Sequence, residues 1–172
     1  MEVCGRCLRE PPGWDSLTCI SDYRFPLNTM VHQLKYHGRH WYAGLAAAEL
    51  AAGIDNPAPV LLPVPMHWKR RFTRRFNHST LLAKALAAET GGRVETGWLK
   101  RTGYRPQQQK LDRKTRLKSP EGSFEITAEV NSGHVGIVDD VVTTGTTVAT
   151  IARLLKKQHN IQVDIYCICR TP

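Results

Sequence analysis

An α/β fold, with a mostly parallel sheet and helices on both faces, is predicted by the order of segments in this 172-residue chain. Short apolar runs typical of strands alternate with helical patterns, and that alternation favours parallel strands joined by helical crossovers. The length suits one domain with a substantial core. An apolar run that leads into an acidic pair at 139–140 also predicts a ligand site at the carboxyl end of a strand.

The first half of the chain is predicted to contain an N-terminal arm and the start of the domain. Residues 1–16 form the arm, which has two prolines and a glycine near its end, and residues 17–172 form the domain. Pro26 opens an amphipathic stretch at 27–34, as expected of a proline in a first helical turn. The other elements are a strand at 17–23, an alanine-rich helix at about 41–52, and a buried strand, VLLPVP, at 60–65.

In the second half of the chain, strand and helix patterns again alternate, except in one stretch that has neither pattern. The basic, glutamine-rich residues 100–119 have no apolar periodicity and are expected to form a mobile loop. The predicted elements are a helix at 77–90, strands at 94–99, 123–126 and 134–138, a helix at 146–158 and a strand at 162–169.

The stretch VGIVDDVVTTGTTV at 135–148 is the most informative part of the chain. Its polar members are Asp139, Asp140, Thr143, Thr144, Gly145, Thr146 and Thr147. The first amides of a helix lack intrahelical partners, and the helix dipole favours negative charge there. The glycine permits a sharp turn, and threonine hydroxyls suit phosphate oxygens. Two carboxylates would repel a phosphate but accept hydrogen bonds from a vicinal diol. The stretch therefore predicts a ribose over the aspartates and its 5′-phosphate over 143–147.

Two other kinds of phosphate loop are excluded, and a plainer interpretation stays open. A Walker A loop is excluded because no G-K-[ST] follows, and a dinucleotide fingerprint is excluded because G-x-G-x-x-G is missing. The plainer interpretation is a buried strand followed by an ordinary helix cap. Capping alone, however, explains neither the acidic pair nor four threonines around one glycine.

The positive charge is concentrated in two segments of a chain whose formal net charge is +9. Residues 69–75 carry five basic groups and no acid, and residues 100–118 carry eight basic groups against Asp112. Such concentration is typical of a site for pyrophosphate or nucleic acid, with a solvated basic face as the alternative.

Single side chains outside the threonine loop are further candidates. Arg70, Arg71 and Arg74 suit pyrophosphate or a DNA backbone, which they would bind through paired guanidinium hydrogen bonds. The alternative is that these arginines belong to an ordinary surface. Lys35, at a predicted helix end, faces the ligand or merely complements the helix dipole. Trp41 and Trp68 are candidates for stacking on bases. The alternative is that they belong to the core or its rim.

No apolar run approaches membrane-spanning length, and the N-terminus lacks a signal-peptide core, which favours a soluble cytoplasmic protein. In that compartment the five cysteines do not indicate a disulfide set. Cys4 and Cys7 have the spacing of half a zinc site, and structural zinc needs four ligands. We interpret them as the remnant of a zinc ribbon whose first half lies upstream, or as free thiols. Zn²⁺ is expected only with the full ribbon.

The 135–148 stretch resembles the signature of type I phosphoribosyltransferases, which bind phosphoribosyl pyrophosphate (PRPP). The whole chain resembles the ComF competence family within that superfamily. The resemblance is carried by CGRCL at 4–8, PLNTMVHQLKYHG at 26–38, VPMHWKRRFTRRFNHS at 64–79, VDDVVTTGTTV at 138–148 and CICR at 167–170. The resemblance implies the type I phosphoribosyltransferase fold and an association with natural transformation and the use of external DNA.

Position by position, the resemblance implies roles for particular residues. It places Asp139 and Asp140 on the ribose hydroxyls, 143–147 on the 5′-phosphate, and 64–66 near pyrophosphate, with Mg²⁺ accompanying PRPP. The family's R-G-F-N-Q turn appears here as RRFNH at 74–78. The long mobile loop of such transferases matches 101–119, with Arg101, Arg105, Gln108 and Lys118 as candidates, although the usual R-N is Lys118-Ser119 here.

Three functions are compatible with these features. The favoured one is a protein that binds PRPP or another phosphoribose and works in DNA uptake, with single-stranded DNA and the uptake machinery as partners. The second is an active phosphoribosyltransferase that moves phosphoribosyl from PRPP to a small acceptor, although Thr143 cannot act as a general base. The third is a DNA-binding adaptor whose nucleotide pocket is vestigial.

Overall fold

A five-stranded sheet forms the centre of the computed structural model, which describes residues 11–66, 76–102, 123–158 and 160–171. The strands are β1 Ser16–Asp22, β2 Val60–Pro63, β3 Arg93–Val94, β4 Leu99–Arg101, β5 Phe124–Ile126, β6 His134–Val142 and β7 Gln162–Arg170. The sheet has the order β1-β7-β6-β2-β3, and each neighbouring pair is parallel. Strands β4 and β5 form a separate antiparallel pair. The predicted α/β class is therefore confirmed.

Helices cover both faces of the sheet, as predicted. They are α1 Leu27–Tyr36, α2 Trp41–Ala52, α3 His78–Thr90 and α4 Thr146–Gln158. Apolar residues of α1, α2 and α3 pack with Leu61, Val138 and Ile168 in one core cluster. Helix α4 and the β4–β5 pair pack on the opposite face in a second cluster. Within the described ranges, no helix is both long and apolar enough to cross a membrane.

The predicted strand at 94–99 is wrong, because this segment changes sheets. Arg93 and Val94 pair with β2, whereas Leu99 begins β4 and pairs with Ile126. Lys100 and Arg101 also lie in β4 rather than in a loop. The apolar residues Trp98 and Leu99 are buried, and burial alone does not tell which sheet a segment joins.

The strand predicted at 134–138 is longer than expected. β6 continues through the acidic pair to Val142, because β7 runs beside it and pairs Val141 with Cys169 and Val142 with Arg170. Asp139 lies opposite Cys167 in the same ladder. The acidic pair is thus held by the sheet rather than by the loop that follows it.

Adding one methyl group at Gly136 of β6 is expected to have a large effect on stability. A Cβ there would lie 2.3 Å from Tyr166 Cε2, and Tyr166 is fully buried with its hydroxyl accepting from Ala58 N at 3.1 Å. We expect Gly136→Ala to lower the free energy of unfolding by about 2–3 kcal/mol, since overpacking forces side chains off their rotamers. Urea unfolding measures the change.

Gly44 is the matched control for Gly136. It lies in α2, and a Cβ there would meet nothing within 4 Å. Gly44→Ala should raise stability by about 0.5–1 kcal/mol, because alanine favours the helix interior. A Gly136→Ala protein as stable as Gly44→Ala would contradict the close packing of β6 against Tyr166.

Candidate functional site

A cavity of about 780 Å³ opens at the carboxyl edge of the parallel sheet, where residues that follow β1, β2, β6 and β7 meet. Backbone hydrogen bonds hold these strand ends together: Tyr23 N donates to Arg170 O, Val64 N to Val138 O, and Thr171 N to Val142 O. The lining residues are Tyr23, Lys35, Val64, Pro65, Met66, Asn77, His78, Ser79, Arg101, Asp139, Asp140, Val141, Thr143, Thr147 and Thr171. Ligands of parallel α/β sheets bind at this edge.

The two adjacent carboxylates of the cavity are held by different partners. Asp139 Oδ1 accepts from Ser79 Oγ at 3.1 Å and from the backbone N–H of Asp140 at 2.9 Å. Asp140 Oδ1 lies 2.8 Å from Lys35 Nζ, with side chains 15% and 20% exposed. Helices α1 and α3 therefore each provide one partner for the pair, which keeps both carboxylates oriented.

The pKa of Asp139 is raised from its ordinary value to about 7. Burial is the largest cause, and the negative charge of Asp140 adds to it. The hydrogen bonds from Asp140 N and Ser79, and the charge of Lys35, lower the pKa but do not cancel the rise. Strongly shifted carboxyl groups in clefts are typical of functional sites.

The threonine loop joins β6 to α4 beside the acidic pair. Gly145 adopts a φ of +73°, in the left-handed region that favours glycine, and Trp14 packs against it. Thr143 and Thr147 line the cavity. Thr144 and Thr146 hydrogen-bond each other through their hydroxyls at 2.8 Å. Helix α4 begins at Thr146, one residue after Gly145.

The start of α3 forms another wall of the cavity. Asn77 caps the helix by accepting from Ser79 N at 3.1 Å, and its Nδ2 donates to Val64 O at 2.9 Å. His78, the next residue, is buried in the first helical turn. Asn77 thus ties the helix to Val64, the first residue of the 64–66 segment that the family resemblance implies near pyrophosphate.

The structure brings together six of the predicted site residues, namely Lys35, Arg101, Asp139, Asp140, Thr143 and Thr147. Arg101 lies at the end of β4, with its guanidinium carbon 5.2 Å from the centre of the Phe124 ring. Thr102 N bonds Ser123 O, so the two flanks of 103–122 meet beside the cavity. Outside the described residues lie Cys4, Cys7, Trp68, Arg70, Arg71, Arg74, Arg105, Gln108 and Lys118.

Six lining residues were neither predicted site residues nor part of the 64–66 segment: Tyr23, Asn77, His78, Ser79, Val141 and Thr171. A usable signal existed for Tyr23 and Thr171, since each follows a strand that ends at the ligand edge of the sheet. Asn77 stands just before a helix and is a preferred N-cap residue. Ser79 carried no local signal, because its contact with Asp139 spans 60 positions along the chain.

Comparison with known proteins identifies the family. The phosphoribosyl transferase domain matches residues 77–172, which contain both the α3 wall and the acidic pair. The chain belongs to the phosphoribosyltransferase family. This protein is also 37% identical to "DNA utilization protein YhgH" of Salmonella typhimurium, over 98% of its own length and 78% of that protein.

Two further relatives cover nearly the whole chain. "DNA utilization protein YhgH" of Escherichia coli K12 is 34% identical, over 98% of this chain and 78% of that protein. "Competence protein F" of Haemophilus influenzae is 26% identical, over 97% of this chain and 78% of that protein. These relatives and the domain match confirm membership of the ComF family, with its phosphoribosyltransferase fold.

The raised pKa of Asp139 predicts that ionisation of this residue destabilises the fold. The folded pKa of about 7 lies above the ordinary value of 3.8, so the unfolded chain releases its proton at lower pH. Stability from this group is therefore full below about pH 4 and is lost as the pH rises towards 7. We expect Asp139→Asn, which stays neutral and still accepts both hydrogen bonds, to raise the free energy of unfolding by about 1–3 kcal/mol near pH 8.

Urea unfolding near pH 4 and pH 8 measures this effect. Near pH 4 the variant and the original chain should differ little, because Asp139 is already protonated in the folded state. Asp55→Asn is the control, since Asp55 is exposed and does not line the cavity. A gain from Asp139→Asn of the same size at both pH values would contradict the assignment.

Proposed function

We propose that this protein binds PRPP or another ribose 5-phosphate ligand in the cavity and works in DNA uptake or the use of external DNA. The observation that carries the proposal is the juxtaposition of Asp139 and Asp140 with Thr143 and Thr147 at one edge of the sheet. Carboxylates accept from a vicinal diol, and threonine hydroxyls near a helix N-terminus suit a phosphate. The cavity size falls in the usual range for small-molecule sites.

The walls of the cavity suit the two ends of such a ligand. The ribose lies over the acidic pair, and its 5′-phosphate lies at the start of α4. The pyrophosphate of PRPP, with its Mg²⁺, lies towards residues 64–66 and Arg101. Arg70, Arg71 and Arg74 lie outside the described residues, and the paired guanidinium hydrogen bonds that arginines form also suit a pyrophosphate.

Thermal unfolding with PRPP and magnesium, or with ribose 5-phosphate, tests the proposal. A ligand that binds only the folded state raises the melting temperature. We expect both ligands to stabilise the protein, and we expect the Asp139→Asn/Asp140→Asn double variant to lose most of the shift. Each lost hydrogen bond to a charged acceptor costs about 1.5–3 kcal/mol.

The exposed Asp55→Asn is again the control and should keep the full shift. An original chain with no shift in either ligand would refute phosphoribose binding and favour the vestigial pocket. A shift that survives in the double variant would place the ligand away from the acidic pair.

The role in DNA uptake is supported by the names of the relatives and by three exposed aromatic rings in or next to helices α1 and α2. Phe25, Tyr36 and Trp41 are 79%, 59% and 61% exposed, which is unusual for rings of this size. The Arg39 guanidinium carbon lies 5.7 Å from the centre of the Trp41 ring. Aromatic rings beside basic groups suit single-stranded DNA, because bases stack on them whatever the sequence.

Replacing Trp41 tests this surface. Base stacking contributes about 1–3 kcal/mol per base, so Trp41→Ala should weaken binding of single-stranded DNA by about tenfold. Leu45→Ala is the matched control, since Leu45 lies one turn further along α2 and is 62% exposed but has no ring. Fluorescence anisotropy at several salt concentrations provides the affinities, which should fall as salt rises.

Equal losses in Trp41→Ala and Leu45→Ala would contradict stacking at this position. Binding that is absent, or that does not change with salt, would refute the DNA part of the proposal altogether.

A catalytic role as a phosphoribosyltransferase is the second candidate, and membership of the phosphoribosyltransferase family favours it. The reaction would displace pyrophosphate from the anomeric carbon by a small acceptor. Pyrophosphate release in the presence of PRPP and a screened acceptor, but not in its absence, would support this activity. A screen of nucleobases and amines without any release would count against it.

A further inference from the structure

The acidic pair of the cavity already has a cation beside it. Lys35 Nζ lies 2.8 Å from Asp140 Oδ1, and both side chains are mostly buried. A charge-assisted contact of this length is stronger than a neutral hydrogen bond, and partial burial protects it from screening by salt. Lys35 also lowers the pKa of Asp139, so its charge acts on both carboxylates.

Helix α1, which carries Lys35, is anchored by its apolar residues. Val31 and Leu34 are fully buried and fix α1 on the sheet. Lys35 follows Leu34 in the last turn, and its side chain is mostly buried. The ammonium group therefore contacts the acidic pair from a helix end that is fixed on the sheet, through a stem with little exposure to solvent.

These surroundings do not suit a magnesium ion of the protein's own. Mg²⁺ requires near-octahedral oxygen ligands, whereas Asp140 Oδ1 is occupied by Lys35 and Asp139 Oδ1 by two hydrogen bonds. Across the described residues there is no group of three or more histidine, cysteine, aspartate or glutamate side chains that could hold a metal. A positive charge in contact with the pair also repels a divalent cation.

We propose that Lys35 takes the place of a divalent cation at the acidic pair, so that Asp139 and Asp140 receive the ribose diol without a metal. Lys35 is then a positioning residue, which compensates the repulsion between the carboxylates and leaves their remaining oxygens to accept from the diol. Magnesium is needed only where pyrophosphate binds. The inference has two halves. The ligand half, that the ribose diol binds without a metal, rests on the proposed function. The cation half, that Lys35 takes the place of a divalent cation at the acidic pair, does not.

The cation half is tested on the full chain without any phosphoribose. Free Mn²⁺, followed by electron paramagnetic resonance, serves as the probe for a divalent ion. We expect Lys35→Met to bind one Mn²⁺ at least about tenfold more tightly than the original chain, and Mg²⁺ to compete with it, because the acidic pair then lacks its cation. Adding Asp140→Asn to Lys35→Met should abolish the gain.

Two further variants separate this role from a general effect of lysine. Lys35→Arg keeps the positive charge and should bind Mn²⁺ no better than the original chain. Lys84→Met removes an exposed lysine of α3 and should change nothing. Tight Mn²⁺ binding by the original chain that Asp140→Asn removes, or a folded Lys35→Met without any gain, would overturn the inference. If Lys35→Met does not fold, Lys35→Gln takes its place.

The ligand half is tested on the original chain alone. The melting-temperature shift produced by ribose 5-phosphate should be the same in millimolar magnesium and in excess chelator. A shift that requires magnesium would overturn the inference while supporting the proposed function. No shift under either condition would refute the proposed function, and the Mn²⁺ titration would still decide the role of Lys35.

Discussion

Repulsion between two adjacent carboxylates is the constraint on which the site depends. Asp139 and Asp140 are neighbours in β6 and both border the cavity, so each needs a partner from elsewhere in the fold. Ser79 of α3 provides one and Lys35 of α1 provides the other. Burial, as the largest cause, and the charge of Asp140 still raise the pKa of Asp139 to about 7. Stability is thus lowered at the residues best suited to a ligand, as is usual for binding sites.

The parallel sheet converts this local arrangement into a complete cavity. Because all five strands run in one direction, the segments after β1, β2, β6 and β7 emerge at one edge. Asn77 then couples the start of α3 to the end of β2, and Trp14 packs against the turn at Gly145. Phe25 precedes α1, Tyr36 ends it and Trp41 begins α2, and all three rings are exposed.

The parts of this structure that could be predicted from sequence are those with a local pattern. The β6–loop–α4 unit has an apolar run, an acidic pair and Gly145 in fixed order, and its position followed from that order. The segment at 94–99 could not be predicted, because an apolar run does not reveal that Val94 and Leu99 join different sheets. The partners of the acidic pair are also long-range, as Lys35 and Ser79 lie about 105 and 60 positions before it. No local periodicity reports such contacts.

The central claim is that the acidic pair accepts the two hydroxyls of a ribose whose phosphate lies at the threonine loop. Isothermal titration calorimetry with ribose 5-phosphate and 2-deoxyribose 5-phosphate tests it most directly, since the two ligands share the phosphate and differ in one hydroxyl of the diol. The account predicts that the deoxy compound binds at least about tenfold more weakly, because a hydrogen bond to a charged acceptor is lost. Equal affinities for the two sugars would contradict it.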